Sequence, residues 1–170
     1  MRLVVQPFGN VPTEVIDRLA ADLSVFDLEI EIHNSASLPI DSYDSKRGQY
    51  NAGDFLQACA EEDSERVLGV TAVDLYAEPL NFVFGQAEIS GKTAVISIAR
   101  LTHRDQAKFG LRVAKEAIHE LGHTFGLTHC TDPKCVMSFS NSLDDTDKKG
   151  KMFCDSCLGT LPTALRPKRM

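Results

Sequence analysis

The sequence predicts an α/β domain (α+β-like), in which a mixed sheet is covered by helices. Its length of 170 residues is typical of one domain. Short apolar stretches alternate with segments of helical periodicity, in the order β-α-β-α-β-β-β-α. The β-α-β links favour parallel strands, whereas the short Ser90-Gly91-Lys92 link between the last two strands favours an antiparallel hairpin. The expected sheet is therefore mixed.

The individual elements follow from the spacing of apolar residues. Helices are expected where such residues recur every three or four positions, with Thr13 and Thr102 as candidate N-caps. After Gly126 this periodicity disappears, and Cys, Asp, Lys and Ser predominate. The predicted strands span residues 3–7, 28–32, 66–74, 81–89 and 93–99, and the predicted helices span residues 14–26, 49–62 and 105–125.

Composition and charge exclude several classes of protein. The hydrophobic fraction of 43% and the charged fraction of 25% are those of ordinary globular chains, not of disordered ones. A net charge of −6 has the wrong sign for a nucleic-acid binder. The sequence has no apolar stretch of about 18–20 residues and no signal-peptide features near its start, so we expect a cytoplasmic protein with no membrane or nucleic-acid partner. The oligomeric state is open, with a monomer expected.

A metal-binding pattern occupies residues 119–129, which read HELGHTFGLTH. His119 and His123 are four positions apart, so a helix presents both imidazoles on one face. Gly126 can adopt a positive φ, end the helix and let the chain deliver His129 to the same ion. Three histidines leave the fourth position of a tetrahedral zinc ion open, which is the arrangement of a catalytic zinc.

Glu120 is the expected general base of this site. It follows His119 on the helix, where it can take a proton from a zinc-activated water and pass it to a leaving amine. The implied reaction is metal-assisted hydrolysis of an amide, such as a peptide bond. The alternative is a zinc-stabilised binding or scaffold protein with weak or vestigial hydrolytic activity. Glu116, one turn earlier, could contact one of the metal-binding histidines, but we expect its carboxylate to be exposed on the helix.

A second metal site is predicted from the cysteines. Cys130-x4-Cys135 and Cys154-x2-Cys157 form two pairs separated by a polar loop, as in a structural zinc site with four cysteine ligands. Disulfides or free core thiols are the alternatives, and both fit a cytoplasmic, polar segment poorly. The chain would then bind two Zn²⁺ ions, one catalytic and one structural. Since Cys130 follows His129 directly, we expect the cysteine site to orient His129.

These residues carry a resemblance to a known family. The H-E-x-x-H-x-x-G-x-x-H motif followed by a methionine, here Met137, resembles the metzincins, and the added cysteines resemble the archaemetzincins. Residues 47–52, 68–75 and 81–86 are similar to the same family. The resemblance implies a metzincin-like twisted mixed sheet with a backing helix and an active-site helix above a cleft, and an irregular, zinc-stabilised C-terminal lobe.

The resemblance also implies roles for particular residues. Met137 would form the Met-turn beneath the catalytic zinc, and an edge strand within residues 81–89 would bind an extended peptide or protein substrate. Ser138 and Phe139 follow Met137 where many metzincins have a tyrosine, so oxyanion stabilisation would fall to zinc and backbone donors. Endopeptidase and aminopeptidase activity both remain open.

The predicted organisation is a single catalytic domain over residues 1–170. Residues 1–126 would form the N-terminal subdomain, and residues 127–170 the C-terminal lobe with the four-cysteine zinc site. The last ten residues carry two prolines and several basic side chains, and we expect them to fray.

Overall fold

A computed structural model describes residues 1–168 of the chain. Helices and strands alternate through the first two thirds of this range, and short helices occupy the last third. The strands are β1 (Arg2–Phe8), β2 (Glu29–Ile32), β3 (Tyr43–Asp44), β4 (Gln49–Asn51), β5 (Arg66–Thr71), β6 (Leu75–Tyr76), β7 (Gly85–Ala87) and β8 (Thr93–Ser97), and the helices are α1 (Thr13–Leu23), α2 (Ala52–Ala60), α3 (Gln106–Thr124), α4 (Leu143–Lys148) and α5 (Asp155–Thr160).

The main sheet is mixed, as predicted. Its strand order is β2-β1-β5-β8-β7. The first four strands in this order are parallel, because helical crossovers join most of them, whereas β7 and β8 form an antiparallel hairpin. β7 is consequently an edge strand that runs opposite to its neighbour.

Helices cover both faces of this sheet and divide its core into two parts. α1 and α3 pack on one face, where Leu3 and Val5 of β1 point. α2 packs on the other face, where Val4 and Val67 point. Because successive side chains of a strand point to opposite faces of the sheet, each strand contributes to two separate hydrophobic clusters.

Helix α3 carries the metal-binding motif and crosses the first cluster. Asp105 caps it by accepting hydrogen bonds from the amides of Ala107 and Lys108, so the predicted cap Thr102 was wrong. The helix ends where Gly126 adopts a φ of +87°. Every residue from Arg112 to Thr124 is buried, because the C-terminal lobe covers the side that does not face the sheet. Among the helices of residues 1–168, none is long and apolar enough to cross a membrane.

Some elements differ from the sequence prediction. Thr13 is the first residue of α1 rather than its cap, and Pro12 precedes it. The strand predicted over residues 81–89 shortens to Gly85–Ala87. The predicted helix over residues 49–62 was wrong at its start: residues 49–51 form β4, and Asn51 caps α2 by accepting a hydrogen bond from the amide of Gly53. The small sheet of β3, β4 and β6 was not predicted, because strands of two or three residues are too short to show a period.

The C-terminal lobe is less irregular than expected. It contains α4, α5 and a 3-10 turn at Thr163–Leu165. The expectation of a frayed tail was wrong as far as residue 168, because Leu165 is buried and the amide of Lys168 donates a hydrogen bond to the carbonyl of Val25. These contacts fix residues 165–168 in place, with Lys168 bonded to the segment that follows α1. Arg169 and Met170 lie outside the described residues.

Candidate active site and metal centres

Two imidazoles of α3 face each other across a short gap. The Nε2 atoms of His119 and His123 are 3.1 Å apart. The Nδ1 atom of His119 lies 2.8 Å from the carbonyl oxygen of Val136, and that of His123 lies 2.7 Å from the carbonyl oxygen of Leu127. A carbonyl only accepts, so we assign the ring proton to Nδ1 in both residues, which leaves both Nε2 atoms as lone-pair donors.

This arrangement fits a zinc ion. Two bare nitrogen lone pairs at this distance repel each other unless a cation lies between them. A tetrahedral zinc with Zn–N bonds of about 2.0–2.1 Å holds its nitrogen ligands about 3.3 Å apart, close to the observed separation. The carbonyl partners of Nδ1 are the contacts that fix the tautomer of metal-binding histidines.

The third imidazole arrives by a reversal of the chain after α3. The amide of Gly126 bonds to the carbonyl of His123, and the amide of Leu127 bonds to that of Gly122, which closes the end of the helix. The ring of His129 then lies 5.3 Å from that of His119 and 5.1 Å from that of His123, centroid to centroid. Ligand nitrogens of the three residues all lie within 4.8 Å of one another, so together they could hold one metal ion.

Burial keeps these imidazoles neutral. It lowers the pKa of His119 to about 2, with a further contribution from the charge of Lys149. It also lowers the pKa values of His123 and His129. Since only a neutral imidazole donates to a metal, the environment favours the form that a metal requires.

Glu120 is buried between α3 and β7. A methyl group at Gly85 would lie 2.7 Å from its Cγ and 2.8 Å from the carbonyl oxygen of Val95, so only glycine allows this approach. Burial raises the pKa of Glu120 well above its usual value, and the charge of Glu116 raises it further. Glu120 can therefore act as a base only with a cation beside it, such as a metal ion at the histidines, because a nearby positive charge favours the carboxylate. Glu120 and the three histidines line one open cleft of about 540 Å³ together with β7 and Phe139.

The four cysteines of the C-terminal lobe form a second cluster. Sγ of Cys130 is 3.8 Å from that of Cys154, and the same distance separates Cys135 from Cys157. Disulfide-bonded sulfurs are about 2.0 Å apart, so these are thiols, as are all cysteines of the chain. A tetrahedral zinc with Zn–S bonds of about 2.3 Å needs about 3.8 Å between sulfurs, which these two pairs match, and all four sulfurs lie within 4.8 Å of one another.

Backbone amides near the cysteines donate hydrogen bonds to their sulfur atoms, as is expected around a metal-bound thiolate. The amide of Asp132 points at Sγ of Cys130, and the amide of Cys154 points at Sγ of Cys135. Burial raises the pKa values of Cys135 and Cys157, so thiolates there are unfavourable without a cation beside them. The donor set therefore matches a structural metal.

The two clusters are joined by the backbone at two points. His129 and Cys130 are consecutive, and Cys135 precedes Val136, whose carbonyl receives the Nδ1 proton of His119. The amide of Cys130 also donates to the carbonyl of Met137, 2.9 Å away. The position of the cysteines therefore bears on two of the three histidines.

Met137 lies fully buried against α3, beside the helix segment that carries two of the histidines. A methyl group at Gly122 would overlap Sδ of Met137 and would lie 3.1 Å from the ring of Phe153. The glycine inside the HELGH segment thus lets the methionine pack directly on the helix backbone. The role of Met137 as the Met-turn residue stays a prediction, which this packing supports.

Comparison with known proteins defines the family. The model of peptidase family M54 matches residues 3–163. The chain belongs to peptidase family M54 and to its archaemetzincins. It is 44% identical to the archaemetzincin of Methanopyrus kandleri, with 98% of each chain covered, and 43% identical to that of Methanocaldococcus jannaschii, with 95% and 93% covered.

Solved structures agree with this assignment. The crystal structure of archaemetzincin from Archaeoglobus fulgidus, complexed with malonate, matches with a TM-score of 0.89 and 39% identity. The match covers 95% of this chain and all of that one. The predicted family and fold class are therefore confirmed, and as an M54 peptidase the chain is a zinc-dependent metallopeptidase.

One prediction about this archaemetzincin was wrong. Glu116 is not an exposed carboxylate but is 3% exposed, and its Oε1 atom lies 3.1 Å from Nζ of Lys149. The hydroxyl of Thr146 donates to the same oxygen. Lys149 lies in a run of charged residues that the sequence suggests is exposed, so no local signal identifies it as part of the site.

A further set of buried polar contacts was also missed by sequence reasoning. Arg112 donates to both carboxylate oxygens of Asp147, at 2.7 and 2.8 Å, and Lys115 donates to the carbonyls of Thr146 and Asp147. These contacts fasten α4 to the polar side of α3. The packing of the M54 chain around its motif helix is therefore partly ionic.

Proposed function

We propose that this M54 peptidase hydrolyses peptide bonds at the cleft, with His119, His123 and His129 as ligands of the catalytic zinc and Glu120 as general base. One observation carries the proposal. Two imidazole nitrogens without protons face each other 3.1 Å apart in the wall of an open cleft, a third imidazole lies beside them, and a buried carboxylate is next in the chain.

The chemistry divides between the metal and the protein. Zinc at the three histidines supplies Lewis acidity, which makes water a better nucleophile near neutral pH and polarises a carbonyl. Glu120 accepts the proton that the attacking water loses, and it then gives this proton to the nitrogen of the departing amine. Val136 and Leu127 keep the imidazoles oriented through their carbonyl oxygens.

The edge strand β7 supports a peptide as the substrate. Phe84 and Glu88 use their backbone groups to bond to β8. Since backbone direction alternates along an antiparallel edge strand, Gly85 and Ala87 direct theirs toward the cleft. An extended peptide can add there as a further strand, antiparallel to β7, with one of its peptide bonds beside Glu120.

We further propose that Cys130, Cys135, Cys154 and Cys157 hold a structural zinc, which gives two zinc ions per chain. Residues 127–170 would then form a lobe stabilised by this ion, and residues 1–126 would supply the sheet and α3. The lobe buries Met137 and Phe153 against α3, so the two parts make up one catalytic domain.

The test is substitution of the proposed base. Glu120→Gln keeps the size of the side chain but cannot accept the proton, so we expect kcat to fall about 10²- to 10⁴-fold in cleavage of a peptide library. Zinc content, measured by atomic absorption, should stay at the wild-type value. Glu61→Gln is the matched control, because Glu61 is exposed at the end of α2 on the opposite face of the sheet.

The outcomes separate the enzyme from a scaffold. Wild-type cleavage that Glu120→Gln abolishes and Glu61→Gln leaves intact supports the proposed base. Cleavage by Glu120→Gln at the wild-type rate contradicts it. A fully zinc-loaded wild type that cleaves no peptide of the library would instead favour the scaffold alternative.

A further inference from the structure

Lys149 is a buried ammonium group beside the proposed catalytic zinc site. It follows α4, and its side chain is 1% exposed. Its Nζ atom lies 3.1 Å from Oε1 of Glu116, 3.5 Å from the carbonyl oxygen of Ser138 and 3.4 Å from Nδ1 of His119. Lys149 does not line the cleft itself, although its partner Glu116 does.

A buried ion pair of this kind contributes little to stability by itself. Removing two charges from water is costly, and an apolar pair of the same volume is often equally stable. The position of Lys149 is therefore better explained by what it holds than by the pair itself.

We propose that Lys149 is a positioning residue that holds His119 in the orientation needed for zinc. This inference rests on the proposed function, since it assigns Lys149 a role toward the proposed zinc ligands. Lys149 contacts α3 through the carboxylate of Glu116, one turn before His119. It also contacts the carbonyl oxygen of Ser138, two residues after Val136 in the segment of Met137.

These two contacts of Lys149 fix the hydrogen bond between His119 and Val136, which orients the imidazole of His119. Val136 and Ser138 belong to one short segment, and Glu116 and His119 belong to one turn of α3. By joining segment and turn, Lys149 keeps the carbonyl of Val136 at 2.8 Å from Nδ1 of His119. Without that contact, the ring loses both its tautomer and its direction, and Nε2 no longer points at Nε2 of His123.

The charged groups around Lys149 hold its ammonium group in one position. Glu116 supplies the negative charge that faces the ammonium, and Thr146 donates to the same carboxylate. Lys115 is also close, but its Nζ atom is engaged by the carbonyls of Thr146 and Asp147. Lys149 is thus the cation that bridges α3 to the Met-turn.

The test uses a neutral pair of substitutions. Lys149→Met alone would leave Glu116 buried and unpaired, so the double variant Glu116→Gln with Lys149→Met removes both charges together. Lys148→Met is the matched control, because the neighbouring Lys148 is exposed and pairs with the exposed Asp144. Zinc affinity is measured by competition with a chelator.

The competition experiment should show two zinc-binding steps, one for each proposed site, and two reference variants assign them. His123→Ala identifies the step of the histidine site, and Cys154→Ser identifies that of the cysteine site. In the double variant we expect the histidine step to weaken by about 10- to 100-fold, as for other residues that orient metal ligands. The cysteine step should be unchanged.

Each result has one meaning. Selective weakening of the histidine step supports the positioning role. Wild-type affinity at both sites overturns it, and so does parallel loss of both steps, which would show a general role in folding. A wild type that lacks any step removed by His123→Ala would instead contradict the proposed function itself.

Discussion

At the scale of single residues, the site depends on close approaches that only glycine permits. Gly85 of β7 lies against Glu120, and Gly122 of α3 lies against Met137. In both cases the missing side chain leaves room for a residue of the proposed site. The glycines therefore set the distances from the edge strand and from Met137 to the helix.

Gly85→Ala tests the first of these approaches. The added methyl group would overlap Glu120 and displace its carboxylate, and a misplacement of about 1 Å can cost about 100-fold in rate. We expect kcat/KM to fall by about that factor with zinc content unchanged. Gly159→Ala is the control, because nothing lies within 4 Å of a methyl group there. Full activity of Gly85→Ala would show that Glu120 does not need this space.

At the scale of elements, polar contacts fasten the short helix α4 to α3. Arg112 and Lys108 both pair with Asp147, and the guanidinium of Arg112 holds the pKa of Asp147 well below its usual range. Lys149 follows α4 directly, so the docking of this helix also sets the position of the proposed positioning residue.

Asp147→Asn should destabilise the fold in a pH-dependent manner. We expect a loss of about 2–3 kcal/mol in the free energy of unfolding near pH 7, as for hydrogen bonds between charged groups. Because the folded-state pKa is lowered, this contribution is fully present above the unfolded-state value of about 3.9 and is lost as the pH falls below it. Denaturant unfolding of both proteins between pH 7 and 3 measures the difference.

The control for this prediction is Asp144→Asn. Asp144 pairs with Lys148 on the exposed surface of α4, so its loss should leave the free energy of unfolding nearly unchanged. An unfolding free-energy difference between wild type and Asp147→Asn that persists undiminished below pH 4 would contradict the assigned ion pair.

The elements also show what the sequence could and could not predict. Helix α3 was predicted to within one residue at each end, because a long amphipathic stripe and a terminal glycine mark it. β3, β4 and β6 were missed, since two or three residues show no periodicity. The ligand pattern was evident because all three histidines lie within eleven residues, whereas Lys149 and Glu116 meet only through the fold.

At the scale of the whole molecule, the backbone connects the two proposed metal sites at two points. Cys130 is bonded to His129, and Cys135 is bonded to Val136, which orients His119. The lobe that carries the cysteines therefore bears on the histidine site from two directions. The sequence predicted only the first of these links, because the second depends on a contact between residues far apart in the chain.

Cys154→Ser tests this coupling. With the cysteine site weakened, we expect the zinc affinity of the histidine site to fall by about tenfold or more, as when partners of metal ligands are removed. Ser156→Ala, an exposed change between the two cysteines, should leave both affinities unchanged. Equal affinity of the histidine site in Cys154→Ser and wild type would show that the two sites are independent.

A crystal structure of the zinc-loaded protein, with anomalous diffraction at the zinc edge, tests the proposed histidine site most directly. We expect one peak bound by Nε2 of His119 and His123 and by the imidazole of His129, with its remaining position open to the cleft beside Glu120. The absence of a peak among these rings in fully loaded protein, or a fourth protein atom on that ion, would contradict the proposed catalytic site.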